Sequence, residues 1–248
     1  MRLGDRLQAI ASMIPMNSRV IDIGADHAKL PIYVVQNGIC QQAIIVEVTK
    51  GPYESAKNNV LLRGYASQID VRLGDGLHPI KHDEIDQIVM AGMGGMTIFA
   101  IVTSPYATQL LAQRDHVLLL NPMNAVGFLR YALIQLDYHI EEDHLVQEDA
   151  IIYNVLRCRA SSRCDAIKRR QISQYLEQEF YALSLSEQFN WAWPLELRHR
   201  DPLAKEALRR ELEKRVQILE KFGENMTILP SGLQKIADEI SLYRMDNV

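Results

Sequence analysis

The chain has 248 residues, of which 48% are hydrophobic and 23% are charged, and its formal net charge is −4. These values are typical of a globular protein with one sizeable core, and the mild charge neither favours nor excludes a polyanionic partner. The apolar runs are too short for a membrane span, and the three cysteines form neither a CxxC pair nor a zinc-ligand pattern. We therefore expect a cytoplasmic protein with free thiols, without a bound metal and without membrane contact.

The predicted elements, taken in chain order, begin with an amphipathic helix, since Leu3, Leu7, Ile10 and Ile14 fall on one helical face. From residue 19 to about residue 159, β-branched runs alternate with segments of helix length. The predicted strands are Val20–Ile23, Ala43–Val48, Ile69–Leu73, Ile85–Met90, Val117–Leu120, Tyr138–Gln147 and Ile151–Arg157. The helices predicted between them are Leu30–Gln36, Tyr53–Leu62, Met96–Ile101 and Val126–Gln135. This alternation predicts an α/β fold with a mostly parallel, doubly wound sheet.

The last two predicted strands break the alternation, because only a few residues near Glu148–Ala150 separate them. That gap is too short for a crossover helix, so the two strands must form an antiparallel hairpin. A mostly parallel, seven-stranded, Rossmann-like sheet that ends in such a hairpin is the arrangement of class I methyltransferases. A plain dinucleotide-binding domain does not require the hairpin.

The character of the chain changes after about Cys164. Apolar residues then recur at helical spacing in three segments, which predict an antiparallel helical pair and a third helix. The three stripes are Ile172, Leu176, Phe180 and Leu183; Leu208, Leu212, Val216, Leu219 and Phe222; and Leu233, Ile236, Ile240 and Tyr243. We therefore predict two domains, a Rossmann-like domain over residues 1–162 and a helical, coiled-coil-like domain over residues 163–248.

The ends of the first three predicted strands carry residues that a ligand could use, and ligands of open parallel sheets bind at that edge. A glycine, a carboxylate or both follow each of these strands, at Gly24, Asp26, Glu47, Asp75 and Gly76. The first turn lacks the GxGxxG fingerprint of dinucleotide sites, and Asp26 would repel a pyrophosphate. Carboxylates beside glycines suit S-adenosylmethionine, which carries an ammonium and a sulfonium but no phosphate.

The sequence also resembles a known family, the bacterial tRNA adenine-N1 methyltransferases that act on adenine 22. The matching motifs are DIGADHAKLP (22–31), EVTKGPYESAK (47–57), VRLGDGL (71–77) and AGMGG (91–95), together with Arg6-Leu7 near the start. The resemblance covers the whole Rossmann-like part and is looser through the helical end. It implies a class I, S-adenosylmethionine-dependent enzyme whose substrate is tRNA.

The resemblance also implies where the cofactor lies. Glu47 would hold its ribose, and Asp75 with Gly76 would hold its adenine. The methionine end would lie against the turn that follows the first strand. The full set of predicted cofactor residues is Gly24, Asp26, His27, Leu30, Glu47, Val48, Asp75, Gly76, Ala91 and Gly92.

Catalysis is expected to rest on positioning. N1 of adenine has an in-plane lone pair that can attack the methyl group directly, and the product is a cation, so neither a covalent intermediate nor a strong general base is required. After the fifth strand the family usually has Gln-Pro, where this chain has the shorter amide of Asn121 before Pro122. The residues predicted at the reacting atoms are Gly92, Met93, Asn121 and Pro122.

Transfer RNA would be held mainly through its phosphates. Six basic residues and one acidic residue lie between positions 157 and 170, and this junction is predicted to contact phosphates. The alternative is a solvated charged face. The predicted tRNA contacts are Arg6, Arg157, Arg159, Arg163, Lys168, Arg169 and Arg170.

Two other functions fit the same sequence. One is a class I methyltransferase for a small molecule or a protein, against which the bare AGMGG loop and the basic junction argue. The other is a non-catalytic module that binds S-adenosylmethionine and uses its helical tail to bind a partner. The sequence leaves the oligomeric state open, and a monomer is compatible with it.

Overall fold

The computed structural model describes residues 1–160 and 166–183, together with residues 191 and 210. The strands in this part of the chain are β1 (Ser18–Ile23), β2 (Cys40–Glu47), β3 (Ile69–Leu73), β4 (Gln87–Met93), β5 (Val117–Pro122), β6 (Tyr138–Glu148) and β7 (Ile151–Ala160). The α-helices are α1 (Asp5–Ser12), α2 (Lys29–Gln36), α3 (Lys50–Leu62), α4 (Gly95–Thr103), α5 (Pro105–Leu111), α6 (Val126–Gln135), α7 (Ala166–Ser173) and α8 (Leu176–Ala182). Within these ranges, none of the helices is both long and apolar enough to cross a membrane.

The strands form one sheet in the order β3-β2-β1-β4-β5-β7-β6. Strands β1 to β5 run parallel to one another, and β7 runs antiparallel to both β5 and β6. The chain switches direction across the sheet between β1 and β4, so the carboxyl ends of these strands border a crevice. The predicted class I methyltransferase fold with a terminal hairpin is therefore confirmed.

Side chains alternate between the two faces of the sheet and build two apolar layers. In β1, Ile21 and Ile23 belong to the layer that contains α4, α5 and α6, whereas Val20 belongs to the layer that contains α1, α2 and α3. Central parallel strands are covered on both faces, which explains their nearly continuous apolar sequences. Ile10 and Ile14 pack into the second layer, and this confirms the helix predicted at the amino terminus.

The two neighbouring strands β4 and β5 continue further than the sequence indicates. β4 runs on to Met93, in place of the loop predicted after Met90, and β5 runs on to Pro122. Gly92, whose φ is +80°, forms a bulge where the register between the two strands shifts. Beyond the bulge, the N–H of Met123 donates to the carbonyl of Met93 at 2.9 Å. The bulge therefore lets the pairing continue to the edge of the sheet.

The segment after the sheet packs against the domain that precedes it. α7 and α8 replace the single helix predicted there, and Leu176 and Phe180 are buried in the layer that contains α6. The two predicted apolar stripes beyond residue 207 lie outside the described residues. The division between residues 1–162 and residues 163–248, with its coiled-coil-like second part, therefore stays a prediction.

Candidate cofactor and active site

A cavity of about 290 Å³ opens at the carboxyl ends of β1, β2 and β3, beside the bulged end of β4. Thr97 and Ile101 of α4 complete its wall, and the sequence analysis missed both, although they follow the AGMGG motif within two helical turns. Three separate strand ends thus meet around one space, as the topology requires. The predicted site residues in the wall are Gly24, Glu47, Val48, Asp75, Gly76 and Met93.

Two glycines leave the main chain uncovered at this cavity. Gly24 has a φ of +75°, and a Cβ atom on it would lie 3.2 Å from Cε of Met93. Gly76 has a φ of +52°, and a Cβ atom on it would lie 3.1 Å from Cγ2 of Ile101. A side chain at either position would strain the backbone and narrow the cavity. The close approach of main chain to ligand that the sequence predicted is therefore available at both positions.

Glu47 ends β2 with a carboxylate that is fixed inside the site. The residue is 5% exposed, and its Oε1 accepts a hydrogen bond from the main-chain N–H of Asp26. Burial raises the pKa of Glu47, the hydrogen bond from Asp26 lowers it, and the charge of Asp26 raises it. A carboxylate has acceptor positions to spare after one hydrogen bond, so Glu47 can still accept from a pair of ligand hydroxyls.

Asp22 of β1 is a buried carboxyl group that the sequence analysis did not select, although it opens the DIGADHAKLP motif. It is 5% exposed. Burial raises its pKa to about 7, the charge of Glu47 raises it as well, and the guanidinium of Arg6 opposes both. A carboxylate inside an otherwise apolar strand was the signal that would have identified it. Two carboxyl groups and one cation therefore interact beside the cavity.

Asp26, His27 and Leu30 are placed differently from the rest of the predicted cofactor set. The side chains of Asp26 and His27 are more than half exposed, pair with each other at 3.3 Å and do not line the described cavity wall. Their contact with the methionine end of the cofactor stays a prediction. Leu30 is 2% exposed and packs in the core, which excludes a side-chain contact and leaves only its main-chain N–H in the first turn of α2.

The bulge of β4 exposes main chain next to an arginine. Gly92 is exposed, and a Cβ atom on it would lie 3.8 Å from Nη1 of Arg6. Arg6 is half-buried, and its guanidinium lies 5.3 Å from the centre of the Tyr153 ring. Gly92 therefore forms a surface without a side chain, bordered by a cation.

The remaining residues of the AGMGG motif have other roles. A Cβ atom on Gly94 would lie 2.9 Å from Oδ1 of Asn124, and a Cβ atom on Gly95 would lie 2.7 Å from the main-chain oxygen of Asn124. Glycine is therefore needed at both positions for packing of the β4–α4 turn. The predicted bare loop is thus open to solvent mainly at Gly92. Ala91 is half-buried and, like Gly92, lies outside the described cavity wall. Contacts of these two residues with the cofactor stay predictions.

Asn121 and Pro122 end β5 and are both buried. Asn121 is 0% exposed; its Oδ1 accepts from Nη1 of Arg6 at 2.7 Å, and its Nδ2 donates to the main-chain oxygen of Asn154 at 2.8 Å. Both ends of the buried amide bind protein groups, and its oxygen orients Arg6. The predicted roles of Asn121 and Pro122 at the reacting atoms stay predictions.

Comparison with known proteins identifies the family. The Methyltransferase domain family matches residues 3–156, a range that contains the whole cavity. The tRNA (adenine(22)-N(1))-methyltransferase of Bacillus subtilis (strain 168) is 34% identical over 231 residues, which are 92% of this chain and 96% of that protein. The chain belongs to this methyltransferase family.

Solved structures extend the similarity to the methyltransferase as a whole. The crystal structure of the B. subtilis M1A22 tRNA methyltransferase TrmK superposes with a TM-score of 0.75 at 29% identity, over 98% of each chain. A putative tRNA (m1A22) methyltransferase of Streptococcus pneumoniae, in complex with S-adenosyl-L-methionine, gives a TM-score of 0.74 at 28% identity, over 97% of each chain. The resemblance found in the sequence motifs is therefore confirmed.

The residues of the methyltransferase cavity fit S-adenosylmethionine. Glu47 and Asp75 place carboxyl groups in the cavity wall for a ligand with an ammonium and a sulfonium, and Gly24 and Gly76 leave room for close approach. A phosphate-bearing coenzyme would meet these carboxyl groups in place of the glycine-rich helix start that phosphates favour.

The predicted basic junction lies at the opposite edge of the sheet from the cavity. β7 runs antiparallel to β5, so Leu156 pairs with Leu120, near the carboxyl edge, whereas Arg159 pairs with Val117 at the amino edge. A strand advances about 3.3 Å per residue, so the chain moves roughly 20 Å away from Asn154 by the end of β7. The junction therefore begins in the middle of the sheet, at Arg157, and continues to the amino edge, away from Gly92.

Two of the phosphate contacts predicted for this junction are wrong, because the guanidinium groups lie inside the protein. Arg157 is 7% exposed, bonds Glu141 and donates to the carbonyl of Met13 at 2.8 Å. Arg169 is 3% exposed and donates to the carbonyl of Leu136 at 2.9 Å. Both arginines tie the edge of the sheet to neighbouring segments.

The other predicted tRNA contacts divide between the two edges. Arg159 and Lys168 are about half exposed, and each is paired with an acidic side chain, while Arg170 is exposed. Arg163 lies outside the described residues. The phosphate contacts of these four residues stay predictions. Among the predicted tRNA residues that the structure describes, Arg6 alone lies at the carboxyl edge.

Proposed function

We propose that this protein transfers the methyl group of S-adenosylmethionine to N1 of adenine 22 in tRNA, in the cytoplasm, where tRNA is used. The observation that carries the proposal is the juxtaposition of an acidic, glycine-lined cavity and the exposed main chain of Gly92 at one edge of the sheet. The reaction and its target follow from membership of a family that includes a relative with this named activity, 34% identical over 92% of the chain.

The cavity residues would each take one part of the cofactor, which when bound supplies a methyl group activated by a sulfonium. Glu47 would accept hydrogen bonds from the ribose hydroxyls. Asp75 would accept from the adenine amino group, and Gly76 would leave room for the ring. Gly24 would let the methionine end approach the turn after β1, with Asp26 within reach of the ammonium.

The chemistry requires positioning more than proton transfer. N1 of adenine attacks through its own lone pair, and the product is a cation. Because no proton has to leave during methyl transfer, no enzyme base is needed. A covalent route through either cysteine that the structure describes is also disfavoured, because Cys40 and Cys158 are buried and burial raises the pKa of both thiols. The protein therefore acts by holding nucleophile, methyl group and sulfur in line and by excluding water.

Gly92 is the proposed seat of the target adenine. Its exposed main chain, without a side chain, lets an extruded base lie flat beside the end of the cavity. Arg6 borders this seat, and its charge would repel a base that becomes cationic if it pointed at N1. We therefore assign the free donors of its guanidinium to the phosphate of the target nucleotide, where a cation is favourable.

Basic residues at the amino edge are assigned a lesser role. Lys168 and Arg170 are exposed but separated from Gly92 by the length of the sheet, so they could contact only remote phosphates of the tRNA. Phosphate contacts fix orientation without reading sequence. Selection of adenine 22 therefore belongs to the carboxyl edge in this proposal.

Methyl transfer to an unmodified tRNA transcript tests the proposal. With S-adenosylmethionine present, primer extension should arrest at adenine 22, since methylation of N1 blocks base pairing, and nucleoside mass spectrometry should show 1-methyladenosine. A transcript with guanine at position 22 is the matched control and should show neither. Equal methylation of both transcripts would overturn the assigned target, and cofactor binding without methylation of any tRNA would overturn the enzymatic function.

A further inference from the structure

A chain of hydrogen bonds runs from the interior of the protein to the cation beside Gly92. Nη2 of Arg130, in α6, donates to Oδ1 of Asn154 at 2.8 Å. The main-chain oxygen of the same asparagine accepts from Nδ2 of Asn121 at 2.8 Å. Oδ1 of Asn121 then accepts from Nη1 of Arg6 at 2.7 Å. Four residues from four separate elements are thereby connected.

Arg130 is the buried end of this chain. It is 0% exposed, although it lies on a helix whose other inward residues are apolar. Nε and Nη2 bind both oxygens of Asp143 in β6 at 2.8 Å each, and Nη1 donates to the carbonyl of Trp191 at 3.2 Å. A well-packed apolar side chain is often at least as stabilising as a buried ion pair, so stability alone does not account for an arginine here.

Asn154 is held at two points of the same residue. Its side chain is fixed by Arg130, and its peptide oxygen is fixed by Asn121. Since the backbone pairing of β5 with β7 ends at Leu120 and Leu156, the Asn121 amide takes the place of the next backbone hydrogen bond. The position of the Asn154 peptide therefore sets the position of that amide.

The amide of Asn121 has only one satisfactory orientation. Its NH₂ group must face the carbonyl of Asn154, because the reverse orientation would place two oxygens together and leave a buried group unpaired. Its oxygen consequently faces Arg6 and fixes the guanidinium beside Gly92. A shift of the Asn154 peptide would be passed to Arg6 through these two hydrogen bonds.

We propose that Arg130 is a positioning residue for methyl transfer, which acts through Asn154 and Asn121 to hold the Arg6 guanidinium beside Gly92. The proposal rests on the proposed function, since it concerns the rate of that reaction. A displacement of about 1 Å in a group that positions the substrate can lower the rate by up to about 100-fold. Arg130 does not contact the cofactor cavity, so its effect belongs in kcat and not in cofactor binding.

A double-mutant cycle tests the proposal. Asn154→Ala removes the acceptor for Arg130 but keeps the main-chain oxygen, and we expect about tenfold lower kcat with an unchanged KM for S-adenosylmethionine. In the Arg6→Ala background, the same substitution should change kcat by less than about twofold, because the group being positioned is absent. Gln147→Ala is the control on the same hairpin; among the described residues, its side chain donates to the exposed carbonyl of Asp149.

Equal losses in both backgrounds, or no loss in either, would overturn the positioning role. Arg130→Lys adds a second measurement, because lysine keeps the charge but cannot make the two-pronged contact with Asp143. Its loss of kcat should likewise be smaller in the Arg6→Ala background. If the lysine variant does not fold, the Asn154→Ala cycle alone tests the positioning role. An inactive wild-type protein would refute the proposed function, whereas an active one with additive losses would refute this inference alone.

Discussion

The two edges of the sheet differ in how their polar groups are used. At the carboxyl edge, Glu47 keeps acceptor positions free, Gly92 exposes main chain, and the Arg6 guanidinium donates from Nη1 to Asn121, its hydrogen-bond acceptor among the described residues. At the amino edge, Glu84, which precedes β4, forms a two-pronged ion pair with Arg72 of β3, and this pairing lowers the pKa of the Glu84 carboxyl to about 2. The polar groups at the carboxyl edge are therefore available to a ligand, whereas those at the amino edge already bind other groups of the protein.

The size of a cavity does not distinguish the two edges. The amino edge carries a cleft of about 400 Å³, larger than the cofactor cavity, at the starts of β1, β2 and β3. Its two arginines are engaged, since Arg19 donates to the carbonyl of Asp83 at 2.7 Å and Arg72 is paired with Glu84. Uncommitted polar groups therefore indicate function in this protein better than volume does.

The largest expected effect comes from the cofactor carboxylate. Glu47→Gln keeps the shape and the acceptor for Asp26 but removes the charge, and we expect about 50-fold weaker binding of S-adenosylhomocysteine by calorimetry. Glu84→Gln is the matched change at the amino edge. It should lower the melting temperature, because it breaks the pair with Arg72, and leave cofactor affinity unchanged. Weaker cofactor binding in the Glu84 variant would remove the distinction between the edges.

Substitutions of basic residues should show which edge of the sheet contributes to tRNA binding. Arg6→Ala should lower kcat/KM for tRNA by about 30-fold, because it removes a cation at the seat of the target nucleotide. The double variant Lys168→Ala, Arg170→Ala should lower it by about twofold at most, since exposed charges far from the site contribute little. Steady-state methylation at two salt concentrations measures both. A larger loss in the double variant would place the tRNA at the amino edge.

A pair of glycines allows the next test. Gly92 and Gly38 both have positive φ, at +80° and +68°, so alanine at either should strain the backbone by about 1 kcal/mol. Only Gly92 borders Arg6; a Cβ atom on Gly38 would meet nothing within 4 Å. We expect about tenfold lower kcat for Gly92→Ala and unchanged kcat for Gly38→Ala, with similar losses of melting temperature. Equal activities would show that the bulge is not the seat of the base.

The smallest expected effect is the pH dependence of stability that Asp22 contributes. Its pKa is about 7 in the folded protein, above its value in the unfolded chain, so the folded state keeps a proton that the unfolded state releases. The free energy of unfolding should therefore fall by about 1 kcal/mol between about pH 6 and pH 7. Asp22→Asn should lack this fall in denaturant titrations. An identical slope in the two proteins would contradict the assignment.

Local patterns predicted most of the fold and much of the site. Strand positions, the terminal hairpin and the acidic and glycine residues at the strand ends all follow from periodicity and from the rule that ligands bind at the carboxyl edge. α5 was missed, although Ser104 caps it and a proline occupies its first turn. Two arginines of the basic junction, Arg157 and Arg169, were misassigned for a different reason. The predicted hairpin already required the chain to return to the amino edge, and the charge count ignored that direction.

The sequence by itself determined the seven strands along the chain, the family and two carboxylates of the cavity wall, Glu47 and Asp75, because each is specified by short stretches of neighbouring residues. Only the tertiary structure decided which arginines are buried and that Asn121 orients Arg6, a residue 115 positions away. Such pairings depend on desolvation and on partners from distant elements. Charge and residue type in one segment cannot specify them.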